Sequence, residues 1–458
     1  MGLEDRATAQ EIGSDASSDS VPTIGSNSST GTTTNEFGAA TPSTNAPSAT
    51  PPSLPQPLMS ASTLFTPVVP YGGGVSQTGE ALAQAIQAQN ANQPYNLRIG
   101  PVQVRAEADL SVELNDNIGL TKNDRVADVI VTPMGILHGR WTISDLNTLT
   151  LNVGIGYESY LLHSQYNSLI VTPDSELSFN VFVGDCTVNF HDNFSYQQDP
   201  TQIAQLSNQV RLVSLQNDVG VSAKWDLGQF VVQADYDHTN LWVTDSIYDY
   251  ITNQSDTFSP QVTWKVNESI NAGLNASFAD TRYDQSFEND NTSESFGPFV
   301  KANLSKYLSV SAAAGGFLTQ YDQGGGNGDD SDLASYYANV GVNHQIDDAL
   351  SEYITAGKQY IPGLTSNYTQ QIYVNYGDHW TPTGQMTVDS VLFWQNSQDS
   401  DATISEDSNR YGVSLAVGDA LTANLNVNVG YQFILKDSDP SSDSYYQNVG
   451  TLGMQYNF

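Results

Sequence analysis

The stretch Thr451-Leu452-Gly453-Met454-Gln455-Tyr456-Asn457-Phe458 decides the fold class of this chain. Its side chains alternate between two kinds. The apolar ones are Leu452, Met454, Tyr456 and Phe458, and the others are Thr451, Gly453, Gln455 and Asn457. Successive side chains of a β-strand point to opposite faces, so the alternation predicts a strand with one apolar face and one polar face.

The same period of two recurs along most of residues 101–458. In its first run, polar side chains alternate with Val102, Val104, Ala106, Ala108, Leu110, Val112 and Leu114. Counting all such runs predicts about 18 strands. They lie near residues 101–118, 126–143, 147–163, 175–184, 186–198, 215–226, 229–242, 256–266, 269–281, 294–305, 307–321, 333–347, 349–361, 367–381, 384–396, 408–418, 421–436 and 444–458. Alternation is weak near 126–143 and 349–361, where a slip of one residue would exchange the two faces.

The connections between these runs alternate in length. Short turns are expected at 144–146, 226–228, 267–268, 305–306, 382–383 and 419–420. Long polar loops are expected at 199–214, 243–255, 282–293, 322–332 and 397–407. Short turns at one end and long loops at the other are typical of outer-membrane barrels. The sequence therefore predicts an all-β fold, a transmembrane antiparallel up-and-down β-barrel.

The tryptophans give an independent indication. All six fall near the ends of predicted strands: Trp141, Trp225, Trp242, Trp264, Trp380 and Trp394. Amphipathic rings concentrate at the two membrane interfaces, whereas a soluble sandwich buries tryptophan near the middle of a strand. We therefore interpret these six as membrane-interface aromatics.

Acidic residues dominate the charge. There are 50 Asp and Glu against 15 Lys and Arg, which gives a formal net charge of −35. Phosphate binding needs a basic surface, so nucleic acid is not an expected partner. The single cysteine, Cys186, excludes an internal disulfide. No apolar run is long enough for a transmembrane helix, and the mean hydropathy of −0.33 is compatible with a barrel, in which only every second residue meets lipid.

Catalytic motifs are not found. The six histidines are scattered without metal-ligand spacing, and no nucleophile elbow or phosphate-binding loop occurs. We therefore expect no enzymatic activity, no cofactor and no metal site. Acidic clusters in the predicted loops, which include Asp329, Asp399 and Glu406, match no calcium-loop spacing and are expected to be solvated charge.

The N-terminal part has a different composition. Residues 1–70 are rich in Ser, Thr, Pro, Ala and Asn, which predicts a disordered extension. Residues 71–95 form an expected short helix or linker, because Leu82, Ala85 and Ile86 share a helical face. The start of the sequence lacks the basic segment and apolar core of a signal peptide. Residues 96–458 are assigned to the barrel.

Two stretches resemble known sequences. Thr451, Gly453, Tyr456 and Phe458 resemble the C-terminal signal that the barrel-assembly machinery reads in bacterial outer-membrane proteins. The hairpin at residues 178–200 resembles that of a putative outer-membrane β-barrel porin family, and the resemblance covers about residues 96–458. It implies a location in the bacterial outer membrane and a role as a pore or in polysaccharide export.

The barrel lumen is the candidate functional surface, because side chains opposite the apolar faces point inward. The candidates for a constriction are Arg105, Glu107, Asp109, Glu113, Glu158, Lys224, Asp235, Lys265 and Lys301. Lys224, Lys265 and Lys301 fall on alternate strands and are expected to line one wall. Such charges either select the permeating ion or pair with one another and with water. The loop at 322–332 is a second candidate constriction, because three consecutive glycines permit a sharp inward turn.

The expected function is a porin-like channel for passive diffusion of small solutes or ions, with a cation bias from the negative charge. The alternatives are an outer-membrane component of surface polysaccharide export, and a closed barrel that serves as an anchor or adhesin. Short turns are expected in the periplasm and long loops outside the cell. The expected partners are outer-membrane lipid, lipopolysaccharide and the barrel-assembly machinery, with a periplasmic partner binding through residues 71–95.

Overall fold

A computed structural model describes residues 95–197, 205–400 and 402–458. Expectations for residues 1–70, and for all but the last residue of 71–95, lie outside this part. The strands are β1 (Leu97–Ile99), β2 (Val102–Asn115), β3 (Asp128–Ser144), β4 (Asn147–Tyr160), β5 (Ser168–Val183), β6 (Cys186–Gln197), β7 (Ser214–Asp226), β8 (Phe230–Val243), β9 (Asn253–Asn267), β10 (Ile270–Tyr283), β11 (Asn291–Asn303), β12 (Leu308–Tyr321), β13 (Leu333–Gln345), β14 (Leu350–Pro362), β15 (Tyr368–Trp380), β16 (Met386–Asp399), β17 (Asp407–Ala420), β18 (Leu425–Asp439) and β19 (Tyr445–Asn457). Short 3₁₀ helices span Ser164–Tyr166, Asp249–Ile251 and Ser441–Asp443.

Strands β2 to β19 form a closed antiparallel barrel. Each strand pairs with the next along the chain, and β19 pairs with β2, with Leu452 opposite Val112 and Tyr456 opposite Ala108. Closure satisfies the backbone donors and acceptors that an open sheet edge would leave unpaired. The predicted up-and-down barrel of about 18 strands is thereby confirmed.

Two details differ from the expectation. Strand β5 begins at Ser168 and not near residue 175. Residues 168–171 also pair with β4, on the other side of a break in register that the sequence pattern did not reveal. Strand β1 was not expected. It pairs with Val102–Val104 at the start of β2. The last residue of the chain reaches the adjoining part of the same strand, where the backbone N–H of Phe458 donates to the carbonyl of Ala106 (3.1 Å). Strand β1 and Phe458 therefore share the edge of β2.

The two ends of the barrel differ as predicted. One end carries the turns 145–146, 184–185, 227–229, 268–269, 304–307, 346–349, 381–385 and 421–424, together with β1 and Phe458. The other end, called the long-loop end below, carries the connections 116–127, 161–167, 244–252, 284–290, 322–332, 363–367 and 440–444, together with the described residues 205–213, 400 and 402–406 of two further connections. None of the helices in the described ranges is long and apolar enough to cross a membrane.

Burial distinguishes the inner from the outer face of the barrel. On β19, Leu452, Met454 and Tyr456 are 40–43% exposed, whereas the intervening Gly453 is buried. On β2, Arg105 and Glu107 are buried although they are charged, and Leu110 and Leu114 are exposed although they are apolar. Exposed apolar side chains on one face and buried polar ones on the other identify the first as the outer, lipid-type surface.

Pairing also resolves the register of β3, where alternation is weak. His138 lies opposite Arg105 and therefore faces inward, together with Met134 and Ile136. Leu137 and Trp141 face outward. The inner face of β3 thus carries apolar residues, and this is the reason that sequence alternation alone could not fix its register.

Inward aromatic side chains lie flat over glycines of the neighbouring strand. Tyr353 lies directly opposite Gly377, and a Cβ atom on that glycine would come within 2.5 Å of the ring. The other pairs are Phe299 with Gly273, Tyr337 with Gly315, Tyr373 with Gly357, and Phe393 with Gly412. Because glycine has no side chain, each ring rests against the wall and does not project into the lumen.

Candidate functional site

All nine candidate constriction residues lie on the inner face of the barrel. The register assigns Arg105, Glu107, Asp109 and Glu113 to the inside of β2, and the others to the inside of β4, β7, β8, β9 and β11. They are spread over several strands and do not form a single ring. Their role in selectivity stays a prediction.

One group of charges on the inner wall of β2–β4 is joined by hydrogen bonds. Nε of Arg105 donates to Oε1 of Glu107 (2.5 Å), and Nε2 of His138 lies 3.4 Å from the same oxygen. Nδ1 of His138 is 2.8 Å from Oδ1 of Asn152 on β4. These side chains are almost fully buried, so low local polarity strengthens their attraction while burial makes each charge costly without its partner.

A second group lies on β6–β8 and was missed by sequence analysis. Nε2 of His191 lies 2.9 Å from Oδ1 of Asp237, and Nδ1 of His191 lies 2.9 Å from Oδ1 of Asn189. Asp218 is next to them: ligand-type atoms of His191, Asp218 and Asp237 all lie within 4.8 Å of one another. Strand parity could have placed His191 inward, since it alternates with the outward Phe190, but the approach to Asp237 needs the register of three strands.

The three lysines are divided between two register rows. Asn271 on β10 is paired with Lys265 on β9 and with Lys301 on β11, so these three residues lie side by side across the sheet. Lys224 on β7 is paired with Gln233 on β8 and lies at a different height in the barrel. Nζ of Lys265 is 2.8 Å from a carboxylate oxygen of Asp226 near the short-turn end. The lysines lie on β7, β9 and β11 and do not form one continuous line, and a joint role in lining one wall stays a prediction.

Segment 205–213 crosses the inside of the barrel at the long-loop end. Leu206 and Leu212 pack with Leu241 and Val243, which face inward from β8. From the same segment, the side-chain amide of Gln205 donates to Oγ1 of Thr369 on β15 (2.7 Å). Further contacts run to the opposite wall: the N–H of Asn208 donates to the carbonyl of Leu120 (3.0 Å), and Lys436 on β18 donates to the carbonyl of Gln205 (3.1 Å).

For the described residues 205–213, this crossing corrects the expectation of an exterior loop at 199–214. The physical reason is the apolar content of its second half, because Leu206, Leu212 and Val213 gain free energy when they leave water. Leu120, in the connection 116–127, is likewise fully buried against inward-facing Phe393, Ile434 and Tyr445. The long-loop end is therefore narrowed from more than one side.

The loop at 322–332 binds neighbouring loops of the long-loop end, and its role as a constriction stays a prediction. Asp329 is 1% exposed and accepts hydrogen bonds from the N–H groups of Asn367 (3.0 Å) and Ser331 (2.8 Å) and from the hydroxyl of Ser400. Asn289 donates to the carbonyl of Asp329 (2.8 Å). Four connections thus meet at Asp329. We call residues 205–213, 286–290, 324–331, 363–367, 400 and 402–406 the cap.

Acidic loop residues are in part structural, which corrects the expectation of solvated charge. Asp329 is held ionised, because its hydrogen bonds to Ser400, Asn367 and Ser331 outweigh burial and lower its pKa. For Glu288 the balance is reversed. Burial and the nearby charges of Asp329 and Asp399 raise its pKa to about 8, and the hydrogen bond that Asn327 donates to it (2.9 Å) does not offset them. Asp329 and Glu288 therefore belong to the hydrogen-bonded structure of the cap and are not solvated loop charges.

The structure gives the faces of the predicted interface aromatics and assembly residues, whose roles stay predictions. Register places all six tryptophans on the outer face. Tyr456 and Phe458 are exposed, with ring centroids 5.1 Å apart, and Gly453 faces inward. A Cβ atom at Gly453 would come 2.1 Å from Oδ1 of Asn428, so a side chain at that position would require the Asn428 amide to move.

The barrel is similar to solved structures of outer-membrane porins. Three of them are OccK2 (OpdF) of Pseudomonas aeruginosa in complex with glucuronate (12% identity, TM-score 0.47, 78% of this chain and 98% of that chain), a BenF-like porin from Pseudomonas fluorescens Pf-5 (10%, 0.47, 79% and 100%), and Acinetobacter baumannii OccAB3 (10%, 0.46, 78% and 99%). No family model and no curated protein matches the chain. At this identity the likeness concerns the fold alone.

Proposed function

We propose that residues 96–458 form a porin-like channel of a bacterial outer membrane, for passive diffusion of small solutes or ions. One observation carries the proposal: the closed barrel is mainly apolar on its outer face and mainly polar or charged on its inner face. Lipid can contact the first, and the second can line a path for water. Only closed barrels and helices satisfy their backbone hydrogen bonds within a bilayer.

Barrel size and the cap set the expected properties of the path. Barrels of about 16–18 strands leave an aqueous channel unless something fills them. Here the cap narrows the long-loop end, since segment 205–213 reaches both β8 and β18. The conductance should therefore be lower than that of an uncapped barrel of equal strand number.

The sidedness follows the usual arrangement of such barrels. Short turns would lie in the periplasm, and the long-loop end with its cap would face the exterior. The outward tryptophans would mark the two interfaces with outer-membrane lipid, and the long loops would meet lipopolysaccharide. Phe458, exposed at the short-turn end, would be accessible to the barrel-assembly machinery from the periplasm.

The inner charge supports a cation bias. Acidic residues predominate on the inner wall of β2–β8, where Asp109, Asp218 and Asp237 carry carboxylate oxygens without a hydrogen-bond donor among the described residues. A water-filled lumen lined by one sign of charge concentrates the opposite ion. Cations should therefore pass more readily than anions.

Reconstitution of the refolded full-length protein in a planar bilayer tests the function. We expect discrete single-channel steps, with a reversal potential in a salt gradient that indicates cation selectivity. Glu107→Gln and Asp109→Asn together should shift the reversal potential toward zero. Silent bilayers that contain folded protein would contradict the channel.

A second candidate is a closed barrel that anchors or displays the long loops. The crossing of segment 205–213 favours it, because a cap that never opens would block the lumen. A variant without residues 205–212 separates the two, since it should conduct more than the full barrel if the lumen below the cap is open. Polysaccharide export through a partner at residues 71–95 stays a prediction from the sequence.

A further inference from the structure

We propose that His191, Asp218 and Asp237 on the inner wall form a binding site for a divalent transition-metal ion such as Zn²⁺. The three side chains come from β6, β7 and β8, and their ligand-type atoms lie within 4.8 Å of one another. The inference does not depend on channel function, because it concerns a set of side chains and not a permeation path.

Hydrogen bonding determines which nitrogen of His191 carries a proton. The side-chain amide of Asn189 donates to Oγ of Ser178 (2.8 Å) and to Oδ1 of Asn180 (2.9 Å). Its Oδ1 is then the atom that faces Nδ1 of His191 at 2.9 Å. An amide oxygen only accepts, so Nδ1 must donate and the neutral ring has its lone pair on Nε2.

That lone pair faces a carboxylate. Nε2 of His191 lies 2.9 Å from Oδ1 of Asp237, and two lone pairs at this distance repel unless a cation lies between them. A proton on Nε2 is one solution and a metal ion is the other. Tetrahedral ligands at about 2.0–2.2 Å from a zinc ion are separated from each other by roughly 3.3–3.6 Å, so Nε2 and Oδ1 would have to move apart by only about half an ångström to hold one ion between them.

The charge of the cluster favours the metal ion. Asp237 has a side chain that is 3% exposed, and its Oδ2 has no hydrogen-bond donor among the described residues. Oδ1 of Asp218 is buried and has none either. One proton on His191 leaves two carboxylates with a single positive charge, whereas a divalent ion neutralises both. Buried charge is costly unless it is neutralised or coordinates a metal.

Gly220 provides the space for this arrangement. Gly220 on β7 is paired with His191 on β6 and with Asp237 on β8, so it lies directly between the two side chains. A Cβ atom there would come 2.3 Å from Nε2 of His191 and 2.3 Å from Oδ1 of Asp237. The gap above Gly220 is thus bounded by the proposed ligands, and an alanine would fill it.

The donor set selects the class of ion. One imidazole nitrogen and two carboxylates suit zinc and its first-row neighbours better than calcium, which prefers six to eight oxygens. The contact of Nδ1 with Asn189 is of the kind that orients histidine ligands, because the second ring nitrogen donates to a fixed acceptor.

Metal retention by the purified full-length barrel tests the proposal. After treatment with a chelating resin, the folded protein is equilibrated with Zn²⁺ in the presence of a weak chelator, desalted and analysed for zinc. We expect one zinc per barrel. With Co²⁺, visible absorption bands should report a nitrogen and oxygen ligand set, and X-ray absorption should show one imidazole.

Variants distinguish ligands from bystanders. Asp218→Asn should fold normally, because Oδ1 of Asp218 makes no hydrogen bond in the described structure. Loss of a group that only hydrogen-bonds to a metal ligand lowers metal affinity by roughly 10- to 100-fold, and loss of the ligand Asp218 should lower zinc affinity by more than that. Asn189→Ala should fall within that range. Gly220→Ala should abolish binding. His138→Gln, which alters the other buried histidine of the wall, should leave zinc binding unchanged.

Three results would overturn the proposal. The wild-type barrel could retain no zinc, Asp218→Asn could bind as tightly as wild type, or cobalt could show no imidazole ligand. The second and third outcomes would mean that retained metal is adventitious on the acidic loops. A single-channel record from the same sample reports independently on the proposed channel, so the two failures are distinguishable.

Discussion

Nζ of Lys436 lies 2.7 Å from Oε1 of Glu406, and the lysine side chain is completely enclosed. The same ammonium donates to the carbonyl of Gln205 (3.1 Å) and to Oγ of Ser207 (2.9 Å). Strand β18, Glu406 and segment 205–213 are therefore held together by the charge of Lys436. A buried lysine is tolerated only with such partners.

Lys436→Met should loosen the cap. It removes three contacts and leaves Glu406 buried without its counter-ion, which typically costs about 3–5 kcal/mol. The loss should be local, because the strands of the barrel remain paired. We expect faster hydrogen exchange at the N–H of Asn208, which donates to Leu120, and a higher single-channel conductance.

Lys265→Met is the matched control. Its partner Asp226 is half exposed, and pairs of this kind contribute about 0–1 kcal/mol. Exchange in segment 205–213 should not change in this variant. If both variants behaved alike, Lys436 would have no special role in the cap.

The inner and outer faces were predictable from sequence because a strand has a local period of two. Alternation alone placed Leu452, Met454 and Tyr456 outward and Arg105 and Glu107 inward. It failed on β3, where Met134 and Ile136 face inward and hide the period.

Contacts between distant segments were not predictable in this way. The packing of Leu206 against Leu241, and the donation of Lys436 to Gln205, join residues far apart in sequence without any periodic signal. The approach of His191 to Asp237 depends on Gly220 in the intervening strand, and hence on the register of two strand pairs. These contacts follow from tertiary structure.

Adjacent residues on opposite faces test the membrane-spanning assignment. Val340 and Asn339 are neighbours near the middle of β13, with Val340 facing outward and 42% exposed and Asn339 facing inward. Val340→Arg should destabilise the barrel in lipid by about 2–4 kcal/mol, whereas Asn339→Arg should have little effect on stability. Urea unfolding in phospholipid vesicles measures both. Equal losses would contradict the face assignment.

Glycines under aromatic rings should control lumen shape. In Gly377→Ala, the new Cβ would meet the ring of Tyr353 at 2.5 Å, and the ring would have to turn into the lumen. We expect about 1–3 kcal/mol of destabilisation from overpacking, together with a reduced conductance. Gly316→Ala is the control, because nothing lies within 4 Å of its Cβ position. It should leave the conductance unchanged, and a drop in both variants would exclude the ring as the cause.

The cap should loosen as the pH rises through the range set by Glu288. Burial raises the pKa of this carboxyl to about 8, from an ordinary value of 4.5 when the cap is open. The closed cap therefore binds more protons than the open one between these values, so the stability that Glu288 contributes is fully present below pH 4.5 and is lost as the pH rises toward 8. The slope is about 1.4 kcal/mol per pH unit for one proton. Asp329 does not contribute in this window, because its lowered pKa keeps it ionised throughout.

Hydrogen exchange at Gly326 and Asn327 measures this dependence. Their N–H groups donate to the carbonyls of Ser286 (2.9 Å) and Phe287 (3.0 Å), beside Glu288. After correction for intrinsic rates, their protection should decrease from pH 5 to pH 8 and level off above that range. In Glu288→Gln, a neutral amide replaces the titrating group, and protection should depend on pH much less than in the wild type. An unchanged pH dependence in this variant would show that another group controls the cap.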